Sequence, residues 1–115
     1  MENQQAAGAR PRITLDDVNR AIKSEFYFTA AEGVLGESEM GTEPAVWTGL
    51  HRTTFCVLVL DNHARVVGVN HGSVDPANHD PELGRRYARE DAISRVWELI
   101  GFRLRDWLHT RPVGF

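Results

Sequence analysis

Arg52-Thr53-Thr54-Phe55-Cys56-Val57-Leu58-Val59-Leu60, then Asp61-Asn62-His63-Ala64, then Arg65-Val66-Val67-Gly68-Val69-Asn70-His71 is the stretch that decides the fold. Two runs of β-branched and apolar residues flank four residues with turn chemistry. That pattern predicts an antiparallel hairpin at the centre of a sheet. Alternation along the first strand puts Thr54, Cys56, Leu58 and Leu60 on one face and Thr53, Phe55, Val57 and Val59 on the other. Both faces are largely apolar. A layer of helices can cover only one of them, so the other needs a second cover, for which another copy of the chain is a natural source.

Downstream, Asp75-Pro76-Ala77-Asn78 reads as a turn, and Asp80 caps a helix with Pro81 at its first position, where a missing N–H costs nothing. That helix is expected to run from Pro81 to about Leu99 and to stop at Gly101. A short terminal helix over Phe102 to His109 is expected after it. Gly84, Ala88 and Ala92 fall four apart, a ridge of small residues that lets a neighbouring backbone approach closely. Upstream, Thr14 with Asp16 and Asp17 marks a helix start, and Leu15, Val18 and Ile22 continue it to about Ser24. Phe26-Tyr27-Phe28-Thr29 is β-prone and is expected to pair with the sheet. Ala30 to Leu50 shows neither helical nor strand period and reads as a long loop, with Trp47 as a hydrophobic pin. Residues 1–12 read as a flexible tail. The expected architecture is α+β: a single domain over 13–115, with an antiparallel sheet, an N-terminal helix, a long helix in the C-terminal half and a short terminal one.

With 115 residues, 42% hydrophobic and 25% charged, the chain has the composition of one globular domain. The longest apolar run, Phe55 to Leu60, is far too short to span a bilayer, and no secretory pattern opens the chain, so a cytoplasmic location is expected. Cys56, the single cysteine, lies inside that run and is expected to be a small buried hydrophobe. The net charge of −3 argues against DNA or RNA held on a positive surface. The balance is uneven. Residues 79–115 carry seven arginines and no lysine, and guanidinium is the group suited to bidentate recognition of phosphate.

No glycine-rich phosphate loop, zinc-type Cys/His spacing or nucleophile elbow occurs. His71, Asp75, His79 and Asp80 lie near one another but fit no standard metal site, and Asp75 and Asp80 already have turn and cap roles. No metal, cofactor or catalytic residue is therefore expected. Asn78 and His79 precede a helix N-terminus, where an anion is favoured, and His79 offers a flat ring for stacking. Arg86 and Arg89 follow, and Arg103 and Arg105 lie further along. These six are the candidate ligand contacts. Surface ion pairing is the alternative for the arginines.

The string Phe55 to Asn62, then Val67-Gly68, Asp75-Pro76-Ala77-Asn78-His79-Asp80, Gly84-Arg85-Arg86, Ala88, Ala92, Trp97 and Gly101-Phe102 resembles, in order and spacing, a family of small tailed-phage and prophage proteins. That family is similar to the first type of Thoeris anti-defence sponge. The resemblance implies a protein that binds glycocyclic ADP-ribose, and in some members cyclic trinucleotides, in the host cytoplasm without cleaving them. It also implies dimers assembling into hexamers, with pockets between subunits. His79 stands where the family has a base-stacking Phe, Asp91 where it has Asn, and Asn62-His63 where it has Asn-Gly. Arg105 matches a basic position after the Gly-aromatic pair. Two other functions fit the residues. One is a phage early protein that inhibits a host protein through Trp47 and the acidic loop; the other is a nucleotide hydrolase using His71, Asp75 and His79.

Overall fold

The computed structural model describes residues 12–39, 41 and 43–109. The order is α1 (Leu15–Ala21), β1 (Ile22–Thr29), α2 (Ala30–Glu37), α3 (Pro44–Arg52), β2 (Thr54–Leu60), β3 (Arg65–Asn70), a single 3-10 turn at Pro76–Asn78, and α4 (Pro81–Leu108). The strands form one antiparallel sheet ordered β1-β2-β3. The α+β class and the central hairpin are as expected. Most of the expected tail lies outside the described residues. No described helix is long and apolar enough to cross a membrane.

Three boundaries differ from expectation, each for a physical reason. Helix α1 ends at Ala21, not near Ser24, because Ile22 pairs opposite Leu60 and the chain enters the sheet there. The gain from sheet pairing and burial overrides the helical spacing of Ile22. The expected loop over Ala30 to Leu50 contains α2 and α3. Helix α2 starts at a capping box in which Thr29 and Glu32 bond each other's backbone N–H, and α3 starts with Pro44 in its first turn. Both helices are too short for a helical period to show. Helix α4 passes through Gly101 without a break and ends at His109, whose N–H returns to Arg105. A glycine inside a helix costs roughly 0.5–1 kcal/mol against alanine, too little to stop one that is anchored by buried Val96 and Ile100.

The alternation of β2 is as expected: Thr54, Cys56, Leu58 and Leu60 are on the buried face, while Phe55, Val57 and Val59 on the other are half-buried. Helix α4 covers the inner face. Gly84, Ala88, Ala92, Val96 and Ile100 form its buried ridge, and Ala88 and Ala92 lie against Gly68 of β3. Val18 and Ala21 of α1 complete the core. The outer face stays open. Register places Phe26, Val57 and Val67 in one row and Phe28, Phe55 and Val69 in the next, with Phe26, Phe28 and Val67 exposed.

The free edge of β3 is closed by side chains of α4. Asp91 accepts the Val69 N–H at 2.9 Å, and Arg95 donates to the Val67 carbonyl at 2.9 Å. A bare strand edge is a template for pairing with another chain, and these two bonds occupy it. Replacing Asp91 by Ala leaves the Val69 N–H without its partner and is expected to cost about 1 kcal/mol. A urea melt checks the loss, and light scattering checks for association through the freed edge.

Candidate functional site

The six candidate contacts do not converge within one chain. Asn78 closes the 3-10 turn and His79 follows it ahead of α4, whereas Arg103 and Arg105 lie in the last two turns of that helix. At the helical rise per residue the two groups are roughly 33 Å apart. Any ligand contacted by both would have to lie between copies.

At the start of α4, His79 is the shared wall of two hollows. One, about 100 Å³, is also lined by Tyr27, Glu32, Thr54 and Arg85; the other, about 220 Å³, by Asn70, Asn78, Asp80 and Tyr87. The helix N-terminus is already occupied by protein, since Asp80 accepts the Glu82 and Leu83 N–H groups. Its carboxylate takes the place an incoming anion would fill. This end is polar and aromatic but poorly suited to phosphate.

In the middle of α4 the arginines serve the fold. Arg89 grips Glu25 of β1 with two hydrogen bonds, at 3.1 and 3.2 Å, across the inner face. Tyr27 donates to the same carboxylate at 2.9 Å. The Arg89 hydrogen bonds hold the Glu25 carboxyl below the usual range, and burial raises the Tyr27 hydroxyl and the Cys56 thiol. Arg86 lies 3.8 Å from Glu90 on the exposed face. Asp91, which stands where the family has Asn, is turned to the β3 edge and paired with Arg95.

A lowered folded-state pKa at Glu25 contributes stability above the ordinary glutamate value, lost as pH falls through the folded one. The melting temperature should therefore drop on acidification below pH of about 4, and Glu25→Gln should flatten that drop while lowering stability at neutral pH. The pair is over a third exposed, so the neutral-pH loss is expected to be under about 1 kcal/mol. Melting curves across the acid range check both.

A larger hollow than either of these lies elsewhere. A cleft of about 510 Å³ opens between the start of α1 and the last turns of α4. Ile13, Ala21, Ile100 and Leu104 line it with apolar surface; Arg12, Arg20 and Arg103 bring three guanidinium groups to it; Asp17, Asp61 and Trp107 complete it. Arg20 is bound to Asp17 at 2.6 Å, and the Thr14 backbone N–H, itself bonded to Asp17, does most to hold that carboxyl below its usual range. Among the described residues Arg12, Arg103 and Asp61 form no ion pair. Trp107 is 68% exposed, an unusual loss of apolar burial for a tryptophan. Of the six candidates only Arg103 lines this cleft; Arg105 is exposed on the same helix. Arg12, Arg20 and Trp107 were missed by reading the sequence, because nothing local marks residues that meet only when α1 packs beside the end of α4.

Trp47 is 8% exposed and donates its indole N–H to the Gly41 carbonyl at 2.9 Å, so it is a pin and offers no interface. Asp75 accepts the Ala77 N–H in its own turn. Among the described residues no group of three or more His, Cys, Asp or Glu side chains gathers as a metal site would need.

The family model described as phage protein (N4 Gp49/phage Sf6 gene 66) matches residues 13–108. The chain belongs to this phage protein family. No curated protein and no solved structure matches it. The N4 Gp49/phage Sf6 gene 66 region takes in both walls of the cleft, from Ile13 at one side to Trp107 at the other, with Arg12 just outside it.

Proposed function

We propose that this phage protein is an anti-defence sponge that binds a cyclic nucleotide immune signal, glycocyclic ADP-ribose or a cyclic trinucleotide, and holds it without cleaving it. The cleft between α1 and α4 carries the reading. Its volume, about 510 Å³, falls in the range of small-molecule sites, and it joins an exposed indole to guanidinium groups over an apolar floor. Nucleotide recognition needs those parts: a ring for stacking a base and forks for the diphosphate oxygens. Arg103 and Arg12 are the phosphate contacts, and Trp107 is the base platform. The resemblance to Thoeris anti-defence sponges supports the same class of ligand, which the protein would meet in the host cytoplasm.

Homo-oligomerisation belongs to the proposal. The open apolar outer face of the sheet gives copies a surface to meet on, and between copies Asn78 and His79 of one can approach Arg105 of another. The test is titration calorimetry of the purified protein with glycocyclic ADP-ribose and with cyclic trinucleotides, followed by heating and chromatography of the released ligand. Binding with intact recovery is expected. Absence of heat for every ligand sinks the reading, and a cleaved product makes the protein an enzyme. Sedimentation should return a multiple of the chain mass, and a single-chain mass would remove the oligomer from the proposal.

A further inference from the structure

We propose that the cleft selects ligands bearing ribose hydroxyls, and that Asp61 is the residue that reads them. The inference rests on the nucleotide reading above and adds the part of the ligand that faces the cleft's second carboxylate.

Two carboxylates stand among the three guanidinium groups, and they differ. Asp17 is fully engaged: it accepts the Thr14 N–H at 2.8 Å, the Thr14 hydroxyl at 3.0 Å and Arg20 at 2.6 Å. Asp61 lines the same cleft with no ion pair among the described residues, although three arginines line it too. Its backbone is fixed. The Asp61 N–H donates to the Ala21 carbonyl at 2.8 Å, while Leu60 and His63 close the β2-β3 turn through bonds of 2.7 and 2.9 Å. The carboxylate therefore sits on a rigid turn, offering acceptors only.

An uncompensated carboxylate repels an anionic ligand unless the ligand presents hydrogen-bond donors to it. A nucleoside phosphate has donors in two places, the ribose hydroxyls and the amine of the base. A carboxylate oxygen accepts a hydrogen bond from a ribose hydroxyl, the pairing by which an acidic residue reads the ribose 2′-OH in dinucleotide folds. Stacking on Trp107 engages the face of a base and needs nothing from its amine. The ribose is thus the group that Asp61 reads.

The probes are ADP, a dideoxy-ADP lacking both ribose hydroxyls, and IDP lacking the base amine, titrated into the wild-type protein and into Asp61→Ala. The wild type is expected to bind ADP and IDP alike and dideoxy-ADP about tenfold more weakly, the size of one charge-assisted hydrogen bond. Asp61→Ala should bind all three alike, with the wild-type melting temperature, since the side chain is exposed. Equal affinity of the wild type for ADP and dideoxy-ADP overturns the inference, as does a preference that survives in Asp61→Ala. Discrimination against IDP alone assigns Asp61 to the base and also overturns it. Failure of the wild type to bind any of the three while it binds glycocyclic ADP-ribose or a cyclic trinucleotide overturns this inference alone; failure with the cyclic ligands as well overturns the nucleotide reading together with it.

Discussion

Gly68→Ala is expected to unfold the protein at temperatures where the wild type is intact, lowering the melting temperature by roughly 10–20 °C. A Cβ on Gly68 would lie 2.0 Å from the Ala88 carbonyl oxygen, 2.3 Å from the Ala92 amide nitrogen and 2.8 Å from the Ala92 Cβ. Two of those atoms are helix backbone, so no rotamer change relieves the overlap. Helix α4 must lift from β3, opening the contact between Ala88, Ala92 and the sheet and pulling Asp91 and Arg95 from the strand edge. Overpacking of this kind costs about 3 kcal/mol or more. Two other glycines supply the scale. At Gly84 the added carbon would meet the Thr54 hydroxyl at 2.9 Å, a side-chain atom, so Gly84→Ala should cost less. At Gly101 nothing lies within 4 Å and the backbone is helical, so Gly101→Ala should stabilise by roughly 0.5–1 kcal/mol. The order Gly101, Gly84, Gly68 in thermal melts checks the packing; a tolerated Gly68→Ala would mean that α4 does not lie on β3 as described.

The same contact shows what could be read in advance. The ridge Gly84, Ala88, Ala92 was legible as a place of close approach because small residues at helical spacing have few other uses. Its partner, Gly68, could not be named, since a glycine in a strand marks a close neighbour without saying which. The hairpin was legible because β2 and β3 pair through a short turn, whereas β1 joins β2 only after two intervening helices. Those helices were hidden for a simpler reason. The Thr29-to-Glu32 capping box is a local sign of a start, but Gly33 and Gly36 interrupt the apolar period that would have confirmed a helix. For the site, the residue types were legible and the grouping was not. Arg89 was a candidate contact until the fold supplied Glu25, a partner 64 positions away. Arg12 and Arg20 stood in a segment that gave no reason to connect them with Arg103 and Trp107.

Reversing the charge at Arg103 is expected to weaken ligand binding about a hundredfold with little change in stability. Arg103 is exposed and has no ion-pair partner among the described residues, so the fold loses nothing when it changes. In the cleft, Arg103→Glu removes a fork for phosphate and adds a carboxylate to those of Asp17 and Asp61, turning an excess of positive charge into an excess of negative. The lost charge-assisted bond alone is worth about tenfold or more in affinity, and the added repulsion should bring the total to about a hundredfold. Trp107→Ala, which removes only the stacking surface, should cost roughly tenfold. If one ligand spans both groups, the two losses should add in free energy only partly, because a ligand freed at one end is held less well oriented at the other. Salt provides an independent check. Wild-type affinity should fall steeply as ionic strength rises, Trp107→Ala should keep that slope, and Arg103→Glu should flatten or invert it. If binding survives Arg103→Glu with its salt dependence intact, the phosphates lie elsewhere, and the smaller hollow at His79, which Arg85 lines, becomes the place to look.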